Sequence, residues 1–255
     1  KYEVLKAKLG GDYPYEVLGH NALRREEPAI GPKVVGAVLH HQDGHANPLK
    51  LLRALADDVR RLGGVILNGK QVTDVTKRDL FCITCADRTE VQAQKTVLSA
   101  GLGAMTLGPK LGFKAHIRPQ RGQVLITEKL PKLINRPSLI ARQVDEGGIQ
   151  IGATNEEVGL DDHVTQPGLS GLAAEAIAAF PVLAKAQLVR SWGALRILSP
   201  DGLPIYQQST EMPGAYLVTC HSGITLAAAH AWFLPSWLEA AGDAPDLEVF
   251  SEARF

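Results

Sequence analysis

Four clusters along the chain carry side chains able to do chemistry, and each also has a plain structural use. His40-His41-Gln42-Asp43-Gly44-His45 offers imidazole and carboxylate groups of the kind that bind zinc. Its spacing matches no zinc pattern, and in an extended strand His41 and Asp43 would share one face while His40 points to the other. A turn leading into a helix at Pro48 is the favoured reading, and no metal is expected there. Cys82-Ile83-Thr84-Cys85 has redox or zinc spacing, but no second pair follows, and a strand would turn the two thiols to opposite sides. No metal is expected there either. His221-Ser222 could pair a base with a nucleophile, yet adjacent side chains rarely point at each other, and no Gly-x-Ser-x-Gly turn is present. The start of the helix that follows has another use, because its free N–H groups and positive dipole end can stabilise negative charge. Arg196 ends an apolar run, Trp192-Gly193-Ala194-Leu195-Arg196-Ile197-Leu198, and needs an anionic partner. That partner is an internal acid or a ligand carboxylate, and the residues alone favour the internal acid.

The elements that must position these groups are legible from periodicity. Asn47 caps a helix from Pro48 to Leu62 with one apolar stripe of Leu52, Leu55, Ala56, Val59 and Leu62, stopped by Gly63-Gly64. Strands are expected at Val65–Leu67, Gln71–Val75, Asp79–Cys85 and Val91–Ser99, then at His116–Thr127 and Leu139–Thr154, with a hairpin at Asp145-Glu146-Gly147-Gly148. A helix through Ala173–Phe180 ends at Pro181, and strands return at Gln187–Arg196 and Ala215–Thr219. A last helix runs from Gly223 to Leu238.

Val97-Leu98-Ser99-Ala100-Gly101-Leu102-Gly103 is a strand entering a glycine turn, nearly a dinucleotide fingerprint, but Thr106 stands where the third glycine belongs. Glu128 could pass for the acid that binds a ribose. Pro109, Gly112 and Pro119 leave little room for the crossover helix, so a complete nucleotide fold is rejected there. The glycines let the chain approach a flat ring or pyrophosphate closely, or simply end a strand.

Lysine plus arginine equals aspartate plus glutamate, 27 against 27, so nothing attracts a nucleic-acid backbone. Hydrophobic residues at 45% and charged residues at 21% indicate a globular, α/β or α+β protein. The longest apolar stretch, Gly223–Leu234, falls short of the roughly 20 residues that span a bilayer, so no transmembrane segment is expected. Three cysteines and no signal-peptide pattern suit the cytoplasm.

Six motifs in order resemble the FAD-dependent D-amino-acid oxidase, glycine oxidase and sarcosine oxidase family. They are Asp43-Gly44-His45-Ala46-Asn47-Pro48, Val97-Leu98-Ser99-Ala100-Gly101, Arg118-Pro119-Gln120-Arg121-Gly122-Gln123, Trp192-Gly193-Ala194-Leu195-Arg196, Ser199-Pro200-Asp201-Gly202-Leu203-Pro204-Ile205 and His221-Ser222-Gly223-Ile224-Thr225-Leu226. Together they cover nearly the whole chain, and Cys220-His221-Ser222-Gly223 is similar to members acting on opines or hydroxyproline.

The resemblance implies a Rossmann-like FAD domain interleaved with a substrate domain on a mixed or antiparallel sheet. Residues 1–45 and 113–210 would belong to the substrate domain, and residues 46–112 and 211–255 to the FAD domain. It places Gly101, Asp201, Gly202, His221, Ser222, Gly223, Ile224 and Thr225 against the cofactor, with the 221–225 loop at the pyrimidine end of the flavin. Arg196 matches the arginine that grips the substrate carboxylate. The implied reaction is hydride transfer from the carbon bearing the amine, giving an imine that water hydrolyses. Such chemistry needs no dedicated acid or base, and none is assigned. Two departures bear on specificity: Tyr206 stands where the family has glycine, and the last loop lacks the arginine of glycine oxidases. The expected ligand is a small amino acid or amine, with partner subunits or a homo-oligomer as further partners. The rival reading is a non-catalytic subunit or carboxylate-binding protein that has lost the flavin.

The family's opening Gly-x-Gly-x-x-Gly unit and its ribose-binding acid are not found before Gly31, as expected of a segment of a longer protein, and the start at Lys1 without methionine fits either such a segment or removal of the methionine. Without those groups the 255-residue chain alone is expected to bind FAD weakly or not at all and to turn over no amino acid. Adding FAD, desalting and recording the visible spectrum checks this; stoichiometric flavin bleached by an amine would contradict it.

Overall fold

A computed structural model describes residues 2–8 and 14–255. The chain divides into two compact units. The first holds the described residues up to Leu51, with Arg121–Glu156 and Asp161–Ala194; the second holds Leu52–Gln120, Glu157–Leu160 and Leu195–Phe255.

In chain order the elements are α1 (Tyr2–Lys8), β1 (Glu16–Gly19), α2 (His20–Glu26), β2 (Gly36–Leu39), α3 (Pro48–Arg61), β3 (Val72–Lys77), β4 (Phe81–Cys85), β5 (Glu90–Ala93), β6 (Thr96–Leu98) and α4 (Ala104–Leu107). Then come β7 (Arg118–Lys129), β8 (Ala141–Gln143), β9 (Gly148–Gly152), α5 (Gln166–Ala179), β10 (Leu188–Leu198), β11 (Ile205–Gln208), β12 (Ala215–Thr219) and α6 (Gly223–Glu239). The sheets are β1-β2, β10-β7-β9-β8, β11-β12-β6 and β3-β4-β5. This is the mixed α/β architecture expected from the sequence.

Local chemistry explains most boundaries. Asn47 Oδ1 accepts the N–H groups of Leu49 and Lys50 at 3.1 and 3.2 Å, which starts α3. The apolar stripe forms but is not buried: Leu52, Leu55 and Val59 are 56%, 49% and 43% exposed. The hairpin at Gly147 closes β8 onto β9, with Gly147 at φ 95° and its N–H on Val144 O at 2.9 Å. Thr165 caps α5 by accepting the Gly168 N–H, and Pro181 follows its end. One expected strand is absent. Val65–Leu67 is irregular, because turns with positive φ at Gly63 and Gly69 leave too short a run between them to pair.

Each unit has its own core. The second is built on Phe81, Leu98, Leu111, Phe113, Ile205 and Leu217, and the first on Leu125, Ile134, Ile149, Ile151, Leu172 and Phe180. Gln123 is a polar residue fully buried in the first unit. Its Nε2 donates to Glu156 Oε1 at 2.7 Å and to Thr165 Oγ1 at 2.9 Å, and its Oε1 accepts the Thr165 N–H at 2.7 Å. The carboxamide thereby ties β7 to the start of α5 with each contacting atom satisfied.

A Cβ at Gly168 would overlap that carboxamide. Gly168→Ala should therefore displace Gln123, strain its buried bonds and cost about 1–3 kcal/mol. Urea denaturation measures this, and an unchanged midpoint would contradict the packing described.

Candidate active site

Three of the six sequence motifs arrive at one edge of the β11-β12-β6 sheet through strand direction alone. Strand β12, Ala215-Tyr216-Leu217-Val218-Thr219, is buried at every position and lies between the other two. It pairs parallel with β6, in register Ala215 with Thr96 and Leu217 with Leu98. Gly101 and Cys220 each lie three residues beyond that last pair, so the glycine turn and the Cys220–Thr225 loop leave the sheet at the same end. Strand β11 runs antiparallel, with Ile205 opposite Thr219. The turn before it, Ser199–Pro204, therefore reaches this end as well. Ligands in sheets with parallel strands bind outside such carboxyl ends.

Gly101 has φ 58°, and a Cβ there would stand 3.1 Å from Ile197 Cδ1. Glycine is required both by the backbone and by the close approach of β10. His221, Ser222, Gly223, Ile224 and Thr225 are all exposed. Ser222 is left-handed at φ 62°, and its side chain does not cap α6. Instead its Oγ lies 2.6 Å from His221 Nδ1. The expectation that these adjacent side chains would not meet is thus overturned, because the left-handed residue folds the chain back on itself. Partial desolvation of the ring by neighbouring groups, and then the positive charge of Arg196, hold the His221 imidazole below its ordinary pKa.

Arg196 is half-buried near the end of β10, three residues before Ser199. Asp201 is held firmly. Its Oδ2 accepts from Arg254 Nε at 2.8 Å, and its Oδ1 accepts from Arg254 Nη2 at 3.1 Å, from the Leu203 N–H at 3.0 Å and from the Ser199 hydroxyl at 3.1 Å. Arg254 also donates to Pro204 O at 2.9 Å and to Ser251 O at 3.0 Å. The Asp201 carboxylate is engaged by the turn itself, while Gly202, at φ 75°, leaves open space where a side chain would be. Sequence reasoning missed Arg254, which lies 53 positions from its partner with nothing local to announce it.

Tyr206, expected from the sequence to depart from a glycine of the family, lies buried in β11. Its hydroxyl lies 2.7 Å from His230 Nε2 on α6, and its ring meets Phe233 and Phe250 edge-on at 5.3 and 5.5 Å. Burial pushes the phenol up to about 12 and raises the neighbouring Cys220 thiol. Tyr206 packs in a cluster with Val218 and Leu247, with Phe233, Trp237 and Phe250 around it.

The remaining sequence clusters have local uses. His41 Nε2 lies 2.7 Å from Glu16 Oε1, and Asp43 N–H closes a turn on His40 O. Cys82 and Cys85 lie in β4, the latter buried. Glu128 Oε1 accepts the Gln187 N–H at 3.0 Å. Among the described residues, Asp161, Asp162 and His163 bring potential metal-ligand atoms within 4.8 Å of one another. All three are exposed, and Asp161 is already paired with Arg121 and His163.

Residues 1–235 match the family described as DAO, FAD dependent oxidoreductase. An opine oxidase subunit of Rhizobium meliloti is 36% identical over 255 residues, covering 99% of this chain and 68% of that protein. Hydrogen cyanide synthase subunit HcnC of Pseudomonas aeruginosa is 31% identical, covering 93% of this chain and 59% of the relative. Among solved structures, glycine oxidase from Geobacillus kaustophilus superposes with a TM-score of 0.90 at 22% identity, over all of this chain and 70% of that one. The chain belongs to the FAD-dependent oxidoreductases of the DAO family. It spans about two thirds of the length of the opine oxidase subunit.

The Arg254–Asp201 pair has a pH signature. Arg254 first, then the Leu203 N–H and Ser199 hydroxyl, against the cost of burial, hold the Asp201 carboxyl well below the usual range. A depressed carboxyl contributes stability that is complete above the unfolded pKa of about 4 and is lost as pH falls below it. Asp201→Asn should lower stability at pH 7, and the gap to wild type should narrow at acid pH. Urea midpoints at pH 7 and pH 3 test this, and an equal gap at both would refute it.

Proposed function

We propose that this chain is part of a flavoenzyme that oxidises the C–N bond of an amino acid or secondary amine of the D-amino-acid, opine or hydroxyproline type. The observation that carries the reading is the arrival of the Gly101 turn, the Ser199–Pro204 turn and the exposed start of α6 at one sheet edge, with Arg196 near the end of β10 three residues before Ser199. Kinship to an opine oxidase subunit supports the choice of substrate class.

These residues suit a flavin. Gly101 makes the left-handed turn after β6 at this end of the sheet, and the α6 start, uncapped by Ser222, offers N–H groups and a positive dipole end to the pyrimidine end of the ring, where negative charge collects on reduction. FAD, when bound, supplies the hydride acceptor. Arg196 binds the substrate carboxylate with a planar two-pronged donor set, which fixes the carbon bearing the amine. Asp201 acts indirectly in this reading, setting the turn while Gly202 keeps its outer side clear. We further propose that the second unit carries the chain's share of the FAD domain and the first its share of the substrate domain. With no Gly-x-Gly-x-x-Gly in these 255 residues, the segment by itself holds FAD weakly.

Among the described residues no helix is long and apolar enough to cross a membrane. A cytoplasmic location fits three free cysteines. A partner protein fits both the relative's place as one subunit of an opine oxidase and the uncovered apolar stripe of α3.

In the full-length flavoprotein, bleaching of the flavin band by a panel of D-amino acids, hydroxyproline and N-carboxyalkyl amino acids tests the activity. Arg196→Ala should weaken substrate binding on the order of 10- to 100-fold by removing charge-assisted hydrogen bonds. Arg196→Lys should rescue poorly, since an ammonium lacks the fork. Unchanged affinity in Arg196→Ala would rule out the carboxylate assignment.

A further inference from the structure

We propose that His221 is the base that removes the ammonium proton from a substrate whose carboxylate Arg196 holds. The proposal rests on the reading of Arg196 given above and adds a residue to it. An amine protonated on nitrogen has no lone pair to assist departure of hydride from the adjacent carbon, so a cationic substrate must lose a proton first. In that step the N–H bond breaks, its electron pair returns to the amine nitrogen, and the proton forms a new bond to His221 Nε2.

The geometry provides for this at one atom. Ser222 Oγ, 2.6 Å from Nδ1, can accept a hydrogen bond from that nitrogen. With Nδ1 donating in this way the lone pair lies on Nε2, and the same bond stabilises the imidazolium once formed. The ring stands on an exposed loop at the sheet edge where Gly101 emerges, open to an incoming molecule. Of the groups around it, Ser222 is neutral, the Cys220 thiol is kept neutral by burial, and Arg196 on β10 is the charge that bears on the ring.

That charge makes the base conditional on the substrate. Before substrate arrives, the field of Arg196 helps to hold the imidazole neutral and ready to accept a proton. A carboxylate bound to Arg196 offsets the positive charge and raises the affinity of Nε2 for a proton at the moment the ammonium is delivered. Binding at one group therefore strengthens the base at the other.

Two measurements on the full-length flavoprotein test the proposal. In His221→Asn, with flavin content verified by absorbance, turnover of an N-carboxyethyl amino acid should fall about 100-fold at pH values below the substrate's ammonium pKa. It should recover above that pKa, where the amine arrives neutral. An equal loss at every pH, or no loss at all, would overturn the proposal. Independently, NMR titration of the His221 imidazole in the wild-type protein should move upward on adding sodium acetate, and Arg196→Ala should abolish the response. Acetate that inhibits competitively without moving His221 would defeat the role of His221 while leaving Arg196 as the anchor. Acetate that neither inhibits nor shifts the titration would remove the Arg196 reading and this proposal with it. Should His221→Asn fail to retain flavin, the wild-type titration decides alone.

Discussion

Parallel pairing of β6 with β12 is the constraint on which the candidate site depends. The two strands lie far apart in sequence, yet their register aligns Leu98 with Leu217, and the chain leaves both at the same end of the sheet. A parallel pair cannot be closed by a tight turn and needs long connections, so the residues that meet at its end come from separate stretches of sequence. Strand β12 holds the arrangement by being buried along its whole length, with β11 completing the layer on its other side. Were β12 shifted by one residue, its side chains would exchange faces and the loop carrying His221 would be aimed elsewhere.

Around that edge the backbone has been given unusual freedom and then restrained. Gly101 and Ser222 both adopt left-handed conformations, one as glycine beneath Ile197 and the other as a serine whose hydroxyl meets His221. Turns of this kind bring backbone or imidazole close to a bound molecule. The restraint comes from polar side chains used structurally. Arg254 and Ser199 fix Asp201, and Glu252, 5% exposed, accepts the N–H groups of Lys114 and His116 at 3.0 and 2.9 Å. Buried carboxylates of this sort are retained because each oxygen is satisfied by donors that would otherwise be stranded.

Tyr206 shows how a large polar side chain is held beside this edge: its hydroxyl reaches His230 and its ring fills an aromatic cluster. The side chain is absorbed into the packing between β11 and α6.

Much of the organisation could be read in the sequence because it is encoded locally. Asn47 and Pro48 announce α3, Gly147-Gly148 the hairpin, Pro181 the end of α5, and the continuous apolar run Ala215–Thr219 a buried strand, since caps, turns and periodicity depend on neighbours a few residues away. Order of motifs was enough to give the family. Tertiary structure decided the rest: that, among the described residues, Val65–Leu67 finds no partner and the α3 stripe stays uncovered, that His221 and Ser222 meet, and that Arg254 clamps a turn 53 residues away. Each of these depends on pairing or backbone direction set by distant residues. A one-dimensional pattern carries no record of which distant donor a carboxylate will meet, or on which edge two strand ends will emerge.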